Sequence, residues 1–176
     1  DFMGGYDHGR QAGVVHVSNH HLVCGAKVWE WGKGEAARLW DSILTDNDGP
    51  YVELMVGAWS DNQPDYSWIK PYETKVIKQY WYPVRQIGGF KNANLNGAVN
   101  LELKPDNQLA FGFHATTKHD NAKVILSAAG TTLFEQTVEI GPEKPFAREI
   151  AVPAGVSRAD LRAVLLQQRR QPRAAA

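Results

Sequence analysis

The second half of the chain places apolar residues at every second position over short runs, and this pattern narrows the fold more than any other feature. Val99 to Leu103 and Leu109 to Phe113 both follow it, and turn sequences such as Pro105-Asp106-Asn107 separate such runs. A period of two is typical of strands that bury one face. Several such runs without a long helical pattern between them favour an antiparallel, all-β architecture.

The length of 176 residues allows one domain, or one domain with a small second one. We predict a boundary within the all-β fold near residue 93. Residues 1–93 form an aromatic-rich portion, and residues 94–176 form a β-sandwich-like portion of the same or a small second domain. A basic tail ends the chain between Arg158 and Arg173. Within it only residues 158–168 could be helical, and the segment 163–166 could equally form a final strand.

The aromatic residues are divided unevenly along the chain. All six Trp and all six Tyr precede residue 83, in a stretch that is also dense in Asp, Asn, Gln, Glu and His. Trp and Tyr combine flat apolar area with a polar tip, so they are enriched at binding surfaces. A sugar ring offers C–H faces for stacking and hydroxyls for hydrogen bonding. The composition of the first half therefore favours a carbohydrate ligand.

Charge and motif content exclude several classes of function. Lys and Arg balance Asp and Glu at 19 each, which argues against a nucleic acid or a membrane surface as the main partner. Gly-rich phosphate loops, the G-x-S-x-G elbow and H-E-x-x-H do not occur in the sequence. A single cysteine, Cys24, excludes an intramolecular disulfide framework and is compatible with a cytoplasmic location.

The run from Tyr51 to Gly57 is a candidate strand that carries the most interesting acid. Alternation places Val52, Leu54 and Val56 on one face, which we predict to be the core face. Glu53 then projects from the opposite face beside an aromatic residue. Such a carboxylate is either a solvated sheet residue or a site residue on a concave surface.

Two other segments could carry acids or ligands for a metal. Asp46 and Asp48 lie in the loop from Thr45 to Pro50, but their spacing does not match a known calcium loop, and an Asx-type turn is the alternative. Calcium is possible there but unsupported, and we expect no cofactor and no metal. His8 follows Tyr6-Asp7, and we predict it to act as an acid or as a hydrogen-bond donor to a hydroxyl.

Trp29 and Trp31 flank Glu30, so both tryptophans share one face of a strand. The pair forms either a stacking platform for a ligand or the edge of a core. Neighbouring strand candidates are Ala12–Val17, Ala26–Trp31 and Thr74–Val84, and a short helix is possible over Gly34–Trp40.

Some motifs resemble the C-terminal half of an aldose 1-epimerase (galactose mutarotase). These are Tyr51-Val52-Glu53-Leu54, Gln63-Pro64-Asp65, Pro71-Tyr72-Glu73 and Tyr80-Trp81-Tyr82-Pro83. The resemblance implies a β-supersandwich with a sugar site on its concave face and Glu53 in the position of the catalytic glutamate. It also implies that the N-terminal half of such a fold is missing here.

A broader resemblance, over about residues 3–100, is to a bacterial mutarotase-like domain family of unknown function that is often found ahead of tetratricopeptide repeats. It rests on the segments 4–9, 29–32, 45–51 and 61–65. It implies a carbohydrate ligand and a tetratricopeptide-repeat region as a possible partner. Because the chain begins at Asp1 without a methionine, we expect a fragment of a longer protein.

Three hypotheses from different classes follow. The first is an enzyme, epimerase-like or glycoside-hydrolase-like, that acts on a sugar with Glu53 as general acid or base and His8 or Asp48 as its partner. The second is a non-catalytic carbohydrate-binding module, and the third is a structural interaction domain for a repeat-containing region. For the sugar site we predict these substrate-binding residues: Tyr6, Asp7, Trp29, Trp31, Asp46, Tyr51, Gln63, Asp65 and Trp68.

Overall fold

The computed structural model describes residues 1–58 and 68–167, which contain twelve β-strands, one α-helix and one 3-10 helix. Its α-helix is α1 (Glu35–Leu44), and the 3-10 helix covers Arg158–Asp160. The strands are β1 (Phe2–Asp7), β2 (Ala12–Ser18), β3 (Lys27–Glu30), β4 (Val52–Met55), β5 (Gln79–Arg85), β6 (Asn92–Asn94), β7 (Gly97–Leu103), β8 (Gln108–Ala115), β9 (His119–Ala128), β10 (Thr131–Ile140), β11 (Phe146–Ala151) and β12 (Leu161–Leu166). The predicted all-β class with antiparallel sheets is confirmed.

The chain divides into two compact units. Asp1, Met3 and Ser18–Tyr80 make up the first unit, and Phe2, Gly4–Val17 and the chain from Trp81 onwards make up the second. The first unit contains α1 and the two-stranded ladder of β3 and β4, whereas the second contains the larger sheets.

A β-sandwich forms the main body of the second unit. One sheet has the strand order β11-β8-β7-β6 and the other the order β10-β9-β12. Leu109, Phe111, Leu126 and Ile140 are at most 2 % exposed in the core between them. Burying each such side chain contributes about 1.5–3 kcal/mol. The period-2 runs predicted as strands supply this core, and the prediction of a β-sandwich-like second half is confirmed.

A third sheet covers part of the outer face of the four-stranded sheet. Its order is β1-β2-β5, and its residues Val15, Val17 and Val84 pack in one small core with Ile87 and with Ala98 of β7. Pro83 lies in β5, an edge strand of this sheet, which is a position where proline is tolerated. The second unit therefore has three layers, and the outer face of β7 and β8 is only partly covered.

In the first unit the helix is longer and the strands are shorter than the sequence predicts. The helix α1 extends to Leu44, past the Trp40 at which we expect it to end. The strand β4 covers only Val52–Met55, and Val52 is 51 % exposed. On the same face of the ladder Val28 is 62 % exposed, whereas Trp29 and Glu53 on the opposite face are half-buried. The prediction that Val52 and Leu54 form the core face is therefore wrong, since theirs is the more exposed face.

The last described segment settles an alternative that the sequence leaves open. Residues Arg158–Asp160 form a single 3-10 turn, and Leu161–Leu166 then pair with β9 as the final strand. Leu161 is 4 % exposed, so this strand contributes to the sandwich core. None of the helices in residues 1–58 and 68–167 is long and apolar enough to cross a membrane.

Candidate functional site

The ladder of β3 and β4 places an aromatic side chain next to a carboxylate. Trp29 and Glu53 are cross-strand partners, and Lys27 and Met55 form the pair two residues along on the same face. Side chains of directly opposed residues have Cβ atoms only about 4.5–5.5 Å apart. The indole ring of Trp29 and the carboxylate of Glu53 therefore belong to one surface of the ladder.

Three tryptophans gather at this surface, and we call Trp29, Trp31 and Trp40 the tryptophan cluster. The ring centroids of Trp29 and Trp31 are 4.8 Å apart with planes at 77°, and those of Trp31 and Trp40 are 4.9 Å apart with planes at 10°. Such edge-to-face and stacked pairs stabilise each other's orientation. Trp31 and Trp40 nevertheless remain 37 % and 42 % exposed, so the cluster presents oriented aromatic area to solvent.

Glu53 is held by a second aromatic residue. The hydroxyl of Tyr51 donates a hydrogen bond to Glu53 Oε1 at 2.8 Å. This bond to the carboxylate, which favours the protonated phenol, raises the pKa of Tyr51 above its usual value of 10. Tyr51 therefore remains a hydrogen-bond donor at neutral pH, and it orients one oxygen of Glu53.

The end of helix α1 fixes the start of β4. The backbone N–H of Tyr51 donates to Asp41 Oδ1 at 2.9 Å, and the N–H of Thr45 donates to the Asp41 carbonyl at 2.9 Å. The same helix carries Trp40, one residue before Asp41. The position of the stacked indole and the position of the Tyr51–Glu53 pair therefore depend on one helical turn.

The acidic loop after α1 is organised by Thr45. Its hydroxyl lies 2.8 Å from the carbonyl oxygens of both Asp41 and Gly49. Asp46 and Asp48 are exposed. Within residues 1–58 and 68–167 no three His, Cys, Asp or Glu side chains are grouped as a metal site requires.

Tyr6, Asp7 and His8 belong to the second unit. The carboxylate of Asp7 accepts hydrogen bonds from the N–H groups of Gly9 and Arg10 at 2.7 and 3.0 Å, and the bond from Arg10 is the main reason that the pKa of Asp7 lies below its usual value. Asp7 therefore shapes the turn between β1 and β2. The ring of His8 packs edge-on against Tyr6, with centroids 5.3 Å apart.

Four of the residues predicted from sequence are thus linked by direct contacts or register: Trp29, Trp31, Tyr51 and Glu53. Trp68 is 79 % exposed, and its carbonyl accepts a hydrogen bond from Lys75. The remaining predicted residues, Gln63 and Asp65, lie outside the described residues.

Sequence reasoning missed two contributors, Trp40 and Asp41. Trp40 lies in a segment whose helical length the sequence does not determine. Its partner Trp31 is nine residues away, and no strand or helix period predicts a contact at this separation. The only signal for Asp41 is its position ahead of the acidic loop. Both contacts arise from the way the helix packs on the ladder.

Comparisons with protein families divide the chain in two. Residues 1–84 match a family described as a domain of unknown function (DUF5107), and residues 92–172 match the second domain of YphG-like proteins. No solved structure matches the chain. The two matches together span both units, and neither description states an activity.

Proposed function

We propose that the first unit binds carbohydrate on the surface formed by the tryptophan cluster and Glu53. The observation that carries this proposal is the cross-strand pairing of Trp29 with Glu53, which puts an aromatic face and a hydrogen-bond acceptor on one surface. A sugar ring requires both features at neighbouring positions. The C–H groups of the ring can stack on the indole, while its O–H groups donate hydrogen bonds to the carboxylate beside it.

The exposed indoles supply the apolar part of such a site. Trp31 and Trp40 are stacked and are held by Trp29 and by helix α1, so little side-chain freedom is lost when a ligand binds. Burial of the C–H face of a sugar on this area contributes about 25 cal/mol per Å² of apolar surface removed from water.

Glu53 supplies the directional part. One of its oxygens accepts the Tyr51 hydroxyl, and a carboxylate has capacity for further bonds from the O–H groups of a ligand. Hydrogen bonds to an ionised acceptor are the stronger ones. Glu53 would therefore select the orientation of the sugar, while the indoles supply contact area.

A second candidate function is catalysis on the bound sugar, with Glu53 as general acid or base. The Tyr51–Glu53 hydrogen bond favours it, because it fixes the carboxylate in one orientation. In an epimerase-type ring opening, Glu53 takes the proton of the anomeric hydroxyl, the bond from the anomeric carbon to the ring oxygen breaks, and an acid protonates the ring oxygen. Tyr51 is poorly suited to be that acid, since its raised pKa holds the proton.

Titration of the full chain with D-glucose, D-galactose, lactose, maltose and cellobiose, followed by NMR, tests the proposal. Binding on the tryptophan cluster shifts the indole N–H resonances of its members. Turnover is tested in the same samples by the rate at which the α and β anomers interconvert. Binding without faster interconversion or bond cleavage supports the binding function alone.

A further inference from the structure

A groove of about 580 Å³ lies in the second unit, apart from the residues proposed to bind sugar in the first. It lies over the outer face of β7, β8 and β11, beside the turn that joins β1 to β2 and the loop that follows β5. The residues that line it and matter here are His8, Gln11, Gln86, Asn100, Glu102 and Glu149. Pockets of roughly 300–1,000 Å³ are the size that holds small-molecule ligands.

Small side chains form the floor of this groove. In the four-stranded sheet, Glu102 pairs with Ala110, Glu149 pairs with Ala110 from the other side, and Ala147 pairs with Gly112. Residues in register share a face of the sheet, so two carboxylates flank a shallow strip of alanine and glycine. A Cβ atom on Gly112 would lie 2.9 Å from Cβ of Ile87, so Ile87 closes this strip at one end.

Asn100 supplies the observation that points to a ligand. Its side chain lines the groove although the residue is only 2 % exposed. Oδ1 of Asn100 accepts no hydrogen bond from any residue that the structure describes. A buried polar atom is normally paired, and an unpaired acceptor on a residue that lines a groove is a candidate partner for a donor from a ligand.

The wall of the groove is held in an unusual conformation. Gln11 and Gln86 both have left-handed backbones, with φ of +51° and +56°, which residues other than glycine rarely adopt. The N–H of Gln86 donates to the carbonyl of Gln11 at 2.8 Å, and the hydroxyl of Tyr6 accepts from the N–H of Gly88 at 3.2 Å. These bonds fix the two glutamines at the rim.

We infer that this groove is a second binding site, and that its ligand is uncharged and rich in hydroxyl groups. Oδ1 of Asn100 and the carboxylate of Glu102 require donors, whereas the amide group of Gln86 both donates and accepts. The amide of Gln11 is already engaged, because it accepts from the Tyr6 hydroxyl and donates to the His8 carbonyl. A hydroxyl is the small group that satisfies both requirements.

Of the charged side chains in the lining, Lys104 and Glu149 neutralise each other as an ion pair, and Glu102 is a further carboxylate. Arg148 is in register with Phe111 of the core, on the opposite face of β11. The charges on the groove face therefore disfavour an anion as the ligand.

The ion pair between Lys104 and Glu149 strengthens this inference. Nζ of Lys104 lies 2.6 Å from Oε2 of Glu149, and this bond is the main reason that the pKa of Lys104 lies above its usual value. A charged ligand would have to compete with this pair. Hydroxyl groups can instead donate to the carboxylate lone pairs of Glu149 that the ion pair does not use.

The test is a ¹H–¹⁵N NMR titration of the full chain with the same five sugars and, separately, with sodium phosphate. We expect a sugar to shift the side-chain amide of Asn100 and the backbone amides of Gly88 and Ala110, with phosphate giving no such shift. Ala110→Met fills the floor and should weaken binding at these residues at least tenfold. Ala151→Met is the control: Ala151 lies in the neighbouring strand β11, on the same face of the sheet but outside the groove, and this variant should bind as the unchanged chain does.

Three further variants separate the result from loss of folding and from the proposed function. Glu102→Ala alters only an exposed rim residue and should weaken binding severalfold, while Asn100→Leu, which removes the buried acceptor, should abolish it if the variant folds. Trp31→Ala should leave the shifts at Gly88 and Asn100 intact. Three results would overturn the inference, whatever the tryptophan cluster does. These are no shift at Gly88 and Asn100 with any sugar, shifts at these residues with full affinity in Ala110→Met, and an equal response to phosphate.

Discussion

Trp29 and Glu53 are directly opposed residues of one antiparallel ladder, although they are 24 positions apart in the sequence. The ladder fixes their relative position through backbone hydrogen bonds, so their juxtaposition does not depend on the rotamers of long side chains. Trp31 and Tyr51 extend this pair through ring contact and a hydrogen bond.

Replacing Trp31 by alanine should weaken sugar binding at least about fivefold, because truncating a central aromatic at a binding surface costs more than about 1 kcal/mol. Trp31 contacts both other members of the cluster, so its loss also releases Trp40. Isothermal titration calorimetry measures the affinity. Tyr72→Ala is the control, since Tyr72 is a fully exposed aromatic of the same unit. Equal affinity of the two variants would contradict the assignment of the site.

Glu53→Gln should separate binding from catalysis. The amide keeps an oxygen for the Tyr51 hydroxyl but cannot act as a base at neutral pH, so binding should fall by a modest factor. If Glu53 is catalytic, any acceleration of anomer interconversion should disappear altogether. Polarimetry on freshly dissolved α-D-glucose and α-D-galactose measures the rate. A variant that still accelerates the reaction fully would remove Glu53 from the mechanism.

Phe111→Ala should destabilise the second unit by about 3–5 kcal/mol, the usual cost of removing a buried aromatic side chain. Phe111 is 2 % exposed and its ring contacts those of Phe134 and Phe146. Urea denaturation followed by circular dichroism gives the free energy of unfolding. Val164→Ala on β12, where the side chain is 43 % exposed, should cost far less, and similar losses for the two variants would contradict the described core.

His114 should make the second unit less stable in mild acid. Burial lowers the pKa of His114 below its ordinary value of 6.5, so the unfolded chain takes up the proton first as the pH falls. The contribution is fully present above pH 6.5 and is lost as the pH falls from there towards the folded-state pKa. His114→Gln should show a shallower decline in the free energy of unfolding between pH 7 and pH 5. Parallel curves for the two proteins would show that His114 does not contribute.

The sequence predicts the sandwich better than the site because the two depend on different information. Leu109, Phe111 and Phe113 alternate locally, and this alone identifies a strand and its core face. The partners of Glu53 depend on which strand pairs with β4 and in which register. The same local rule fails for Val52, whose face is only partly covered.

The groove in the second unit was missed for a similar reason. Its rim and floor come from residues between His8 and Glu149, and no motif connects them. In the sequence, Asn100 and Glu102 occupy the polar positions of an alternating strand, and the structure confirms this strand. The sheet of β1, β2 and β5 covers only part of this strand, so Asn100 is buried whereas Glu102 is exposed.

The most direct test of carbohydrate binding on the tryptophan cluster is to follow the tryptophan indole N–H resonances while sugars are added to the full chain. At least one sugar should shift the indole signals of Trp29, Trp31 and Trp40 together, in a saturable manner, and Glu53→Gln should reduce the effect. If none of these three signals moves with any sugar of the panel, the first unit does not bind carbohydrate on this surface and the proposed function is wrong.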